Sequence, residues 1–324
     1  MYYIFRRATA VPVASIAVTR FANCPLTCNL PFMITYNPKD WFTFIFRFHK
    51  ADTLRQLAPL IIGICVYSWV ITFLELHIFN ISDTSHIKNI TIMHTLLSFV
   101  ISMLLVFRTN TAYDRWWEGR KQWGALVNNS RNLAIKLNSM LEHDETHRAF
   151  FRKTIPMYAA VLSNHLHEES TRLMLDEHEH PELRQIDKDK HVPNQVATLL
   201  MQQVNRLYEE GKIKGDHLII LNNELQSFTD ICGACERIKN TPIPFSYSVF
   251  LKKFIFFYVM TLPLSLPLSL GYITIPAVAF IFYVLASLEQ IAEEIEDPFG
   301  GDENDLPTAK MAQNIKKHVG EIIS

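Results

Sequence analysis

Two long runs of this sequence contain no Asp, Glu, Lys or Arg. Each of them, Leu57–Leu74 and Ile90–Phe107, has 18 residues. As an α-helix, such a run is about 27 Å long, close to the roughly 30 Å thickness of bilayer hydrocarbon. Core helices of water-soluble proteins rarely run this far without a charge, because one of their faces usually meets solvent. The two runs therefore predict two transmembrane helices.

A third uncharged stretch, Phe254–Leu288, is too long for a single crossing. Its 35 residues would form a straight helix of about 52 Å. Proline removes a backbone donor and clashes with the preceding helical turn. Residues that interrupt a helix fall in the middle of the stretch: Pro263, Pro267, Gly271 and Pro276. The stretch therefore predicts two apolar helices that fold back at about Pro267–Ile273, which makes four membrane segments in two hairpins.

The positions of Lys and Arg predict how these hairpins are oriented. Basic residues collect in the cytoplasmic loops of membrane proteins. Here they cluster before the first segment, after the second and before the third, whereas only Lys88 lies between the first two segments. Both hairpins should therefore point outward, with the N-terminus, the middle region and the C-terminus in the cytosol. We expect a multi-pass protein of the plasma membrane, which is the inner membrane if the chain is bacterial.

The rest of the chain divides by composition. Residues 112–247 carry most of the charge, and apolar residues recur at helical spacing from Ala112 to Leu141. A long helix should therefore continue the second membrane segment into the cytosol. Residues 1–32 show no clear periodicity, and one hypothesis is that translation starts at Met33. The predicted segments are an N-terminal extension (1–32), an amphipathic cytosolic or interfacial segment (33–56), a first transmembrane hairpin (57–111), a cytosolic helical region (112–247) with further helices at about 150–169, 195–210 and 214–238, a second hairpin (248–288) and an acidic cytosolic C-terminal segment (289–324).

Charge and motifs exclude several classes of function. The formal net charge is −1, from 31 Lys and Arg against 32 Asp and Glu, so the chain lacks the basic excess of a nucleic-acid-binding protein. No Gly-rich phosphate loop, GxSxG motif or pair of catalytic carboxylates is present, and we expect no enzyme. Cys232 and Cys235 form a single CxxC motif that is better explained by packing than by zinc or redox chemistry. Three histidine pairs fit a hydrated acidic surface as well as they fit a metal: His143/His147, His165/His167 and His178/His180.

Three motifs lie at fixed places relative to the four apolar segments. RTNTAYDRWWEGRKQWG begins at Arg108 as the second segment ends, CERIKNTPIPFSY precedes the third, and EEIEDPFGGDENDLP follows the fourth. Their sequences and order resemble the bestrophin family of ion channels, specifically its prokaryotic members, over about Ile34–Pro307. The resemblance implies an all-α homopentamer around a central pore. Its partners would be further copies of the chain, membrane lipid and the permeating ions, and no cofactor would be required.

In this family, the second membrane helix lines a hydrophobic neck with three residues spaced one helical turn apart. The matching positions in this chain are Phe99, Met103 and Phe107, so the hairpin 57–111 would supply the pore-lining helix. Independently of the resemblance, the i, i+4, i+8 spacing places these three residues on one helix face. Ser98 and Ser102 flank this face. The alternative is that the three residues only pack between helices.

The resemblance also implies an aperture and a calcium clasp in the cytosolic part. The aperture corresponds to Val196, with Val192 one turn earlier as the alternative. In calcium-activated animal members, an acidic clasp after the last membrane helix binds Ca²⁺. Asp302 and Asp305 match the side-chain ligands of that clasp. Glu294 and Asp297 match its carbonyl donors. Gly301 and Asn304 replace acids of those members, so we expect weak or absent regulation by Ca²⁺.

The sequence leaves three functions open. The first is passive conduction of chloride and other monovalent anions, because apolar rings can gate by dewetting and the positive edges of Phe rings can face an anion. The second is a channel selective for monovalent cations. The third is a non-conducting scaffold or regulatory membrane protein, in which the aromatic YDRWW helix would serve subunit packing. The aligned apolar face favours a pore over a scaffold, and we predict an anion channel.

Overall fold

The computed structural model describes residues 53–78, 90–167, 186–187, 190–302 and 304–324. Within these residues the chain is helical and contains no strand, in agreement with the predicted fold class. The predicted extension 1–32, the segment 33–52 and the proposed start at Met33 lie outside the described residues. The α-helices are α1 (Thr53–Phe73), α2 (Ile90–Met140), α3 (Glu145–Leu166), α4 (Val192–Glu209), α5 (Gly215–Asn240), α6 (Phe245–Thr261), α7 (Pro267–Leu270), α8 (Thr274–Glu296) and α9 (Thr308–Ile322).

Four helical segments are long and apolar enough to cross a bilayer. They are Thr53–Ile78, Ile92–Met140, Phe245–Leu264 and Pro267–Glu296. The most apolar window of each has between 11% and 33% of its residues buried inside the chain. Most of this apolar surface is therefore left for lipid or for further copies of the chain. The four predicted membrane segments are confirmed as helices, and α8 packs against α1, α2 and α6.

The second membrane segment continues without a break into the polar region. Helix α2 has 51 residues, which makes it about 76 Å long and more than twice the thickness of the hydrocarbon core. Its upper part packs through Ile101 and Leu105, and its lower part packs through residues such as Trp123 and Leu133, all of them buried. The long helix expected from Ala112 to Leu141 is thus confirmed, and it joins the apolar, membrane-length part of the chain to the polar part.

The proline-rich stretch interrupts the helix as predicted. Helix α6 ends at Thr261, short helical turns follow from Leu262 to Ile273, and α8 begins at Thr274. Gly271 has a φ of +56°, in the left-handed region that favours glycine because it has no β-carbon. His94 of α2 is held against this turn, with Thr261 Oγ1 at 3.0 Å from its Nε2 atom and Ser265 Oγ at 3.2 Å from its Nδ1 atom.

Most of the predicted acidic C-terminal segment, residues 289–324, is helical. Its first residues, up to Glu296, extend α8, and a loop then leads to helix α9. Helix α9 packs on α2 and α3 through Met311, Ile315 and Val319. These three residues are spaced four apart, which is the spacing of an amphipathic helix. The charge of the preceding loop conceals this stripe when the segment is classified by composition alone.

Candidate ion pathway along helix α2

The three predicted neck residues lie on one exposed face of α2. Phe99 is 70% exposed, Met103 48% and Phe107 54%. The opposite face is buried against α6 and α8, and Ile101 and Leu105 are 1% and 2% exposed. The exposed row runs for about 12 Å along the helix, since eight residues separate its ends. The three residues therefore belong to a broader apolar surface of α2 that its own helices do not cover, together with exposed residues such as Leu96 and Val106.

The two flanking serines turn their protons toward the helix. Ser98 Oγ donates to Thr95 O and Ser102 Oγ donates to Ser98 O, both at 2.7 Å. A serine hydroxyl has one proton and two lone pairs. Ser98 also hydrogen-bonds the buried Tyr258 side chain on the packed side of α2, so Ser102 is the serine whose oxygen lone pairs are left for hydration water or a cation.

A buried ion-pair cluster lies directly below this face. The side chain of Arg108 is 1% exposed, and its Nη2 atom lies 2.7 Å from Glu296 Oε2. Its Nε atom lies 3.5 Å from Glu289 Oε2. Glu296 also accepts a hydrogen bond from Ile243 N at 2.6 Å through its other oxygen. Since Arg108 follows Phe107 in the chain, this cluster fixes the lower end of the apolar surface to α8 and to the start of α6.

Arg115 joins α2 to the C-terminal ends of two other helices. Its guanidinium donates to Ile238 O at 2.5 Å, to Glu296 O at 2.9 Å and to Thr241 O. These carbonyls belong to the last residues of α5 and α8, where helices have no internal donor for them. Sequence analysis placed Arg108 and Arg115 in a motif but gave neither a partner. The only signal in the sequence is the spacing of the two arginines, which lie seven residues, or about two helical turns, apart at a membrane boundary.

Further down, the same face of α2 becomes basic and aromatic. A shallow concave surface is lined by Trp117, Arg120, Lys121, Gly124, Ala125 and Asn128. At 100° per residue, Trp117 and Lys121 lie on the side of the helix that carries the neck residues. Lys121 is about 21 Å below Phe107 along the helix axis. The exposed Asp114 lies on the same side between them, so the surface is mixed in charge with a basic lower end.

The acidic loop after α8 is folded onto α2. Trp116 Nε1 donates to Asn304 O at 3.1 Å. A β-carbon at Gly119 would come within 3.1–3.2 Å of three side-chain atoms of the loop segment. The missing side chain at this position thus permits the close approach of the loop.

Within this loop, Asp305 is the buried member of the predicted calcium positions. It is 7% exposed, and its Oδ2 atom accepts a hydrogen bond from Asp302 N at 2.6 Å. Its Oδ1 atom has no hydrogen-bond partner among the described residues, which exclude residue 303. Burial, with a further contribution from the neighbouring acids, raises the pKa of Asp305 to about 7 despite the hydrogen bond from Asp302. The site therefore holds a carboxyl that lacks compensation for its charge.

The side chains of Glu294 and Asp297, whose backbone carbonyls match the carbonyl donors of the clasp, are hydrogen-bonded within the chain. Asn304 Nδ2 donates to Glu294 Oε2 at 2.7 Å, and Phe299 N donates to Asp297 Oδ1 at 3.2 Å. Asn304 stands where calcium-activated relatives were expected to have an acid. Its amide therefore occupies the Glu294 carboxylate, and the loop is closed by hydrogen bonds that need no ion.

The predicted aperture residues are in the protein core. Val196 has no exposed surface and Val192 is 7% exposed, and both pack in the cluster formed by α2 to α5. The side chain of Val196 is covered by its own chain, so it presents no surface to an opening between subunits in this structure. A role of either valine in an aperture stays a prediction. Both residues belong to the apolar stripe by which α4 packs, at a spacing of four residues with Leu200.

The remaining candidates for metal or redox chemistry are the CxxC cysteines and the histidine pairs. Cys232 and Cys235 are buried, and burial raises the pKa of each thiol to about 12, which makes them packing residues rather than reactive thiols. His165 does not pair with His167 but meets His191 and Glu236. His178 and His180 lie outside the described residues.

Four bilayer-length helices, joined through α2 to a polar helical part, define a multi-pass membrane protein. Residues 33–321 match the family described as Bacterial/Fungal Bestrophin protein. The chain belongs to this family, and the resemblance noted in the motifs is confirmed.

Known proteins resemble this chain in sequence and in fold. A protein of Synechocystis sp. is 29% identical over 296 residues, which cover 89% of this chain and 93% of that relative. One of Mesorhizobium japonicum is 30% identical over 286 residues, covering 85% and 87%. Both relatives are named voltage-dependent anion channel-forming proteins. A crystal structure of a bacterial bestrophin homologue from Klebsiella pneumoniae has a TM-score of 0.73 at 25% identity, covering 83% of this chain and 100% of that one.

Proposed function

We propose that this chain is the subunit of a passive anion channel that conducts chloride and other monovalent anions, and that five copies surround a central pore lined by α2. The observation that carries the proposal is the row formed by Phe99, Met103 and Phe107, exposed on one face of a helix whose other face is buried. Copies related by a rotation axis along this face would turn each residue into an apolar ring. The names of the curated relatives support an anion as the permeating species.

The residues suggest how such a pore works. Apolar rings can gate by dewetting, because water leaves a narrow apolar constriction. The edges of the Phe99 and Phe107 rings carry positive charge that can face a partly dehydrated anion. Lys121 and Arg120 at the lower end of the face would raise the local anion concentration. In this proposal the neck is the barrier and the cytosolic part of α2 is the collecting surface.

A second candidate, conduction of monovalent cations, has its own support. The lone pairs of Ser102 and the carboxylate of Asp114 lie on or beside the same face of α2. Oxygen atoms of this kind replace the hydration of a cation. Selectivity then depends on whether these groups or the Phe edges and basic residues dominate. A non-conducting scaffold is the third candidate.

We further propose that both chain ends lie in the cytosol, beneath the plasma membrane, or the inner membrane in a bacterium. Calcium should have little or no effect on the channel. The support is the amide of Asn304, which bonds the Glu294 carboxylate where a calcium clasp would carry another acid. With fewer charged ligands, an oxygen site for Ca²⁺ loses affinity.

The test of the main proposal is the reversal potential of the purified protein in planar bilayers under a KCl gradient. A value near the chloride equilibrium potential supports the anion channel, and a value near the potassium potential supports the cation candidate. The double variant Phe99→Ala with Phe107→Ala should raise conductance or open probability several-fold. Phe280→Ala, an equally exposed Phe on α8, is the matched control and should leave currents unchanged. Equal effects of both changes would remove the two residues from the neck, and no current from an intact oligomer would favour the scaffold.

A further inference from the structure

A cluster of ligand-type side chains lies in the cytosolic helical region, on other helices than α2. His165 stands in the last turn of α3, His191 caps the start of α4, and Glu236 lies on α5. The Nε2 atoms of the two histidines lie 2.7 Å and 2.5 Å from the same Oε1 atom of Glu236. Each of the three residues offers one ligand atom, and the three atoms all lie within 4.8 Å of one another; this is the group of His, Cys, Asp or Glu side chains found at such spacing among the described residues. We infer that His165, His191 and Glu236 bind a divalent transition-metal ion of the zinc class.

The donor set determines which ion fits. Two imidazole nitrogens and one carboxylate oxygen are ligands that zinc and its neighbours prefer, with water completing the coordination. Calcium and magnesium take oxygen ligands instead. With neutral rings, the site carries the single negative charge of Glu236, which favours a dication. Metal bonds of about 2.0–2.2 Å at tetrahedral angles separate ligand atoms by roughly 3.3 Å, so the carboxylate needs to retreat by less than 1 Å.

The surroundings keep the ligands available. The side chains of His165, His191 and Glu236 are 34%, 33% and 30% exposed, so an ion can enter from solution. Burial acts to raise the pKa of Glu236, but its hydrogen bonds with His191 and His165 hold it below the ordinary value. The carboxylate is therefore ionised at neutral pH. The neighbouring Cys232 thiol stays protonated and does not compete, because burial raises its pKa to about 12.

Metal binding would exchange one local contact for a link among three helices. His191 Nδ1 accepts a hydrogen bond from Asn194 N at 3.2 Å and so caps α4. A histidine that binds a metal through Nε2 carries its proton on Nδ1. The ion and the cap therefore compete for His191, and the bound ion would join the end of α3, the start of α4 and the C-terminal part of α5.

The test is direct metal binding by the full-length protein in detergent. After treatment with a chelator, Co²⁺ should bind at one ion per chain with a visible absorption band, and one equivalent of Zn²⁺ should displace it. Glu236→Gln and His165→Ala should each weaken Zn²⁺ binding by more than the 10–100-fold typical of losing an outer hydrogen-bond partner. His191→Asn should weaken it equally while keeping a side chain that can cap α4. Melting of each metal-free variant verifies that it is folded.

The matched control is His167→Ala. His167 is close in sequence to His165, but its Nδ1 atom bonds Ser163 O at 2.7 Å and it stands outside the cluster. This variant should bind Co²⁺ and Zn²⁺ like the wild type. The inference is overturned if the wild-type protein binds no stoichiometric Co²⁺ or Zn²⁺, which would leave a purely hydrogen-bonded triad. It is overturned equally if a folded Glu236→Gln or His165→Ala protein binds as tightly as the wild type.

Discussion

Replacement of Arg108 tests whether the buried ion pairs hold the lower end of the neck helix. In Arg108→Gln, the carboxylates of Glu289 and Glu296 remain in place, and their side chains are only 5% and 13% exposed. Removing one partner of a buried ion pair costs about 3–5 kcal/mol, because the remaining charge stays desolvated and uncompensated. For a chain of this size, such a loss lowers the apparent melting temperature by about 4–7 °C.

The assay is thermal unfolding of the detergent-solubilised protein, followed by tryptophan fluorescence. Lys252→Gln is the control, because it breaks an ion pair with Glu293 of similar length, 2.7 Å, whose side chains are 47% and 57% exposed. An exposed pair contributes about 0–1 kcal/mol, so this variant should melt within about 2 °C of the wild type.

A rescue variant distinguishes the destabilisation caused by the unpaired carboxylates of Glu289 and Glu296 from any other effect of replacing Arg108. Arg108→Gln combined with Glu289→Gln and Glu296→Gln removes both uncompensated carboxylates while nearly preserving volume. It should recover at least half of the lost melting temperature, because neutral amides cost less to bury than ions. If Arg108→Gln melts no lower than Lys252→Gln, or if the triple change gives no recovery, the argument from buried charge is refuted.

Three further predictions concern the acidic loop. Gly119→Ala should destabilise the protein by about 1–3 kcal/mol through overpacking. Gly124→Ala is the control and should be neutral or stabilising, because a β-carbon there meets only the side chain of Arg120 at 3.5 Å. Equal melting temperatures of the two variants would contradict the close approach of the loop. Because burial raises the pKa of Asp305 to about 7, above roughly 3.9 for an unfolded Asp, calcium-free stability should fall as pH rises from about 4 to 7, and Asp305→Asn should flatten that profile. Micromolar Ca²⁺ should leave bilayer currents unchanged; steep activation that Asp302→Ala abolishes would show a working clasp.

Much of the fold could be predicted because it depends on local patterns. The lengths of Leu57–Leu74 and Ile90–Phe107 relative to the bilayer fixed two helices, and the prolines placed the break near Pro267. Helix α2 could be extended into the cytosol since apolar residues kept helical spacing beyond Ala112. The motif beginning at Arg108, with the two later motifs, identified the family. These signals are all carried by residues close together in the chain.

The site was predicted less completely. Spacing alone put Phe99, Met103 and Phe107 on one face of a helix, but only the packing of α6 and α8 against Ile101 and Leu105 showed that this face is the uncovered one. Their role in a pore stays a prediction.

The aperture residue shows that sequence position does not determine burial. Val196 shares the four-residue spacing of a core stripe, yet whether such a stripe faces its own chain or a neighbouring subunit depends on which helices pack around it. Here α4 packs on α3 and α5, and Val196 lies in the core.

The sequence by itself determined that this is a helical membrane protein of the bestrophin family, because hydrophobic length and helical period are local properties of the chain. Only the tertiary structure decided the partners of Arg108 and Arg115 and the meeting of His165, His191 and Glu236. Those contacts join residues far apart in sequence, so they exist only after the helices pack. Packing of the helices thereby pairs the charge of Arg108 and brings the three ligand atoms together. The proposed channel depends on the first of these arrangements, and the proposed metal site depends on the second.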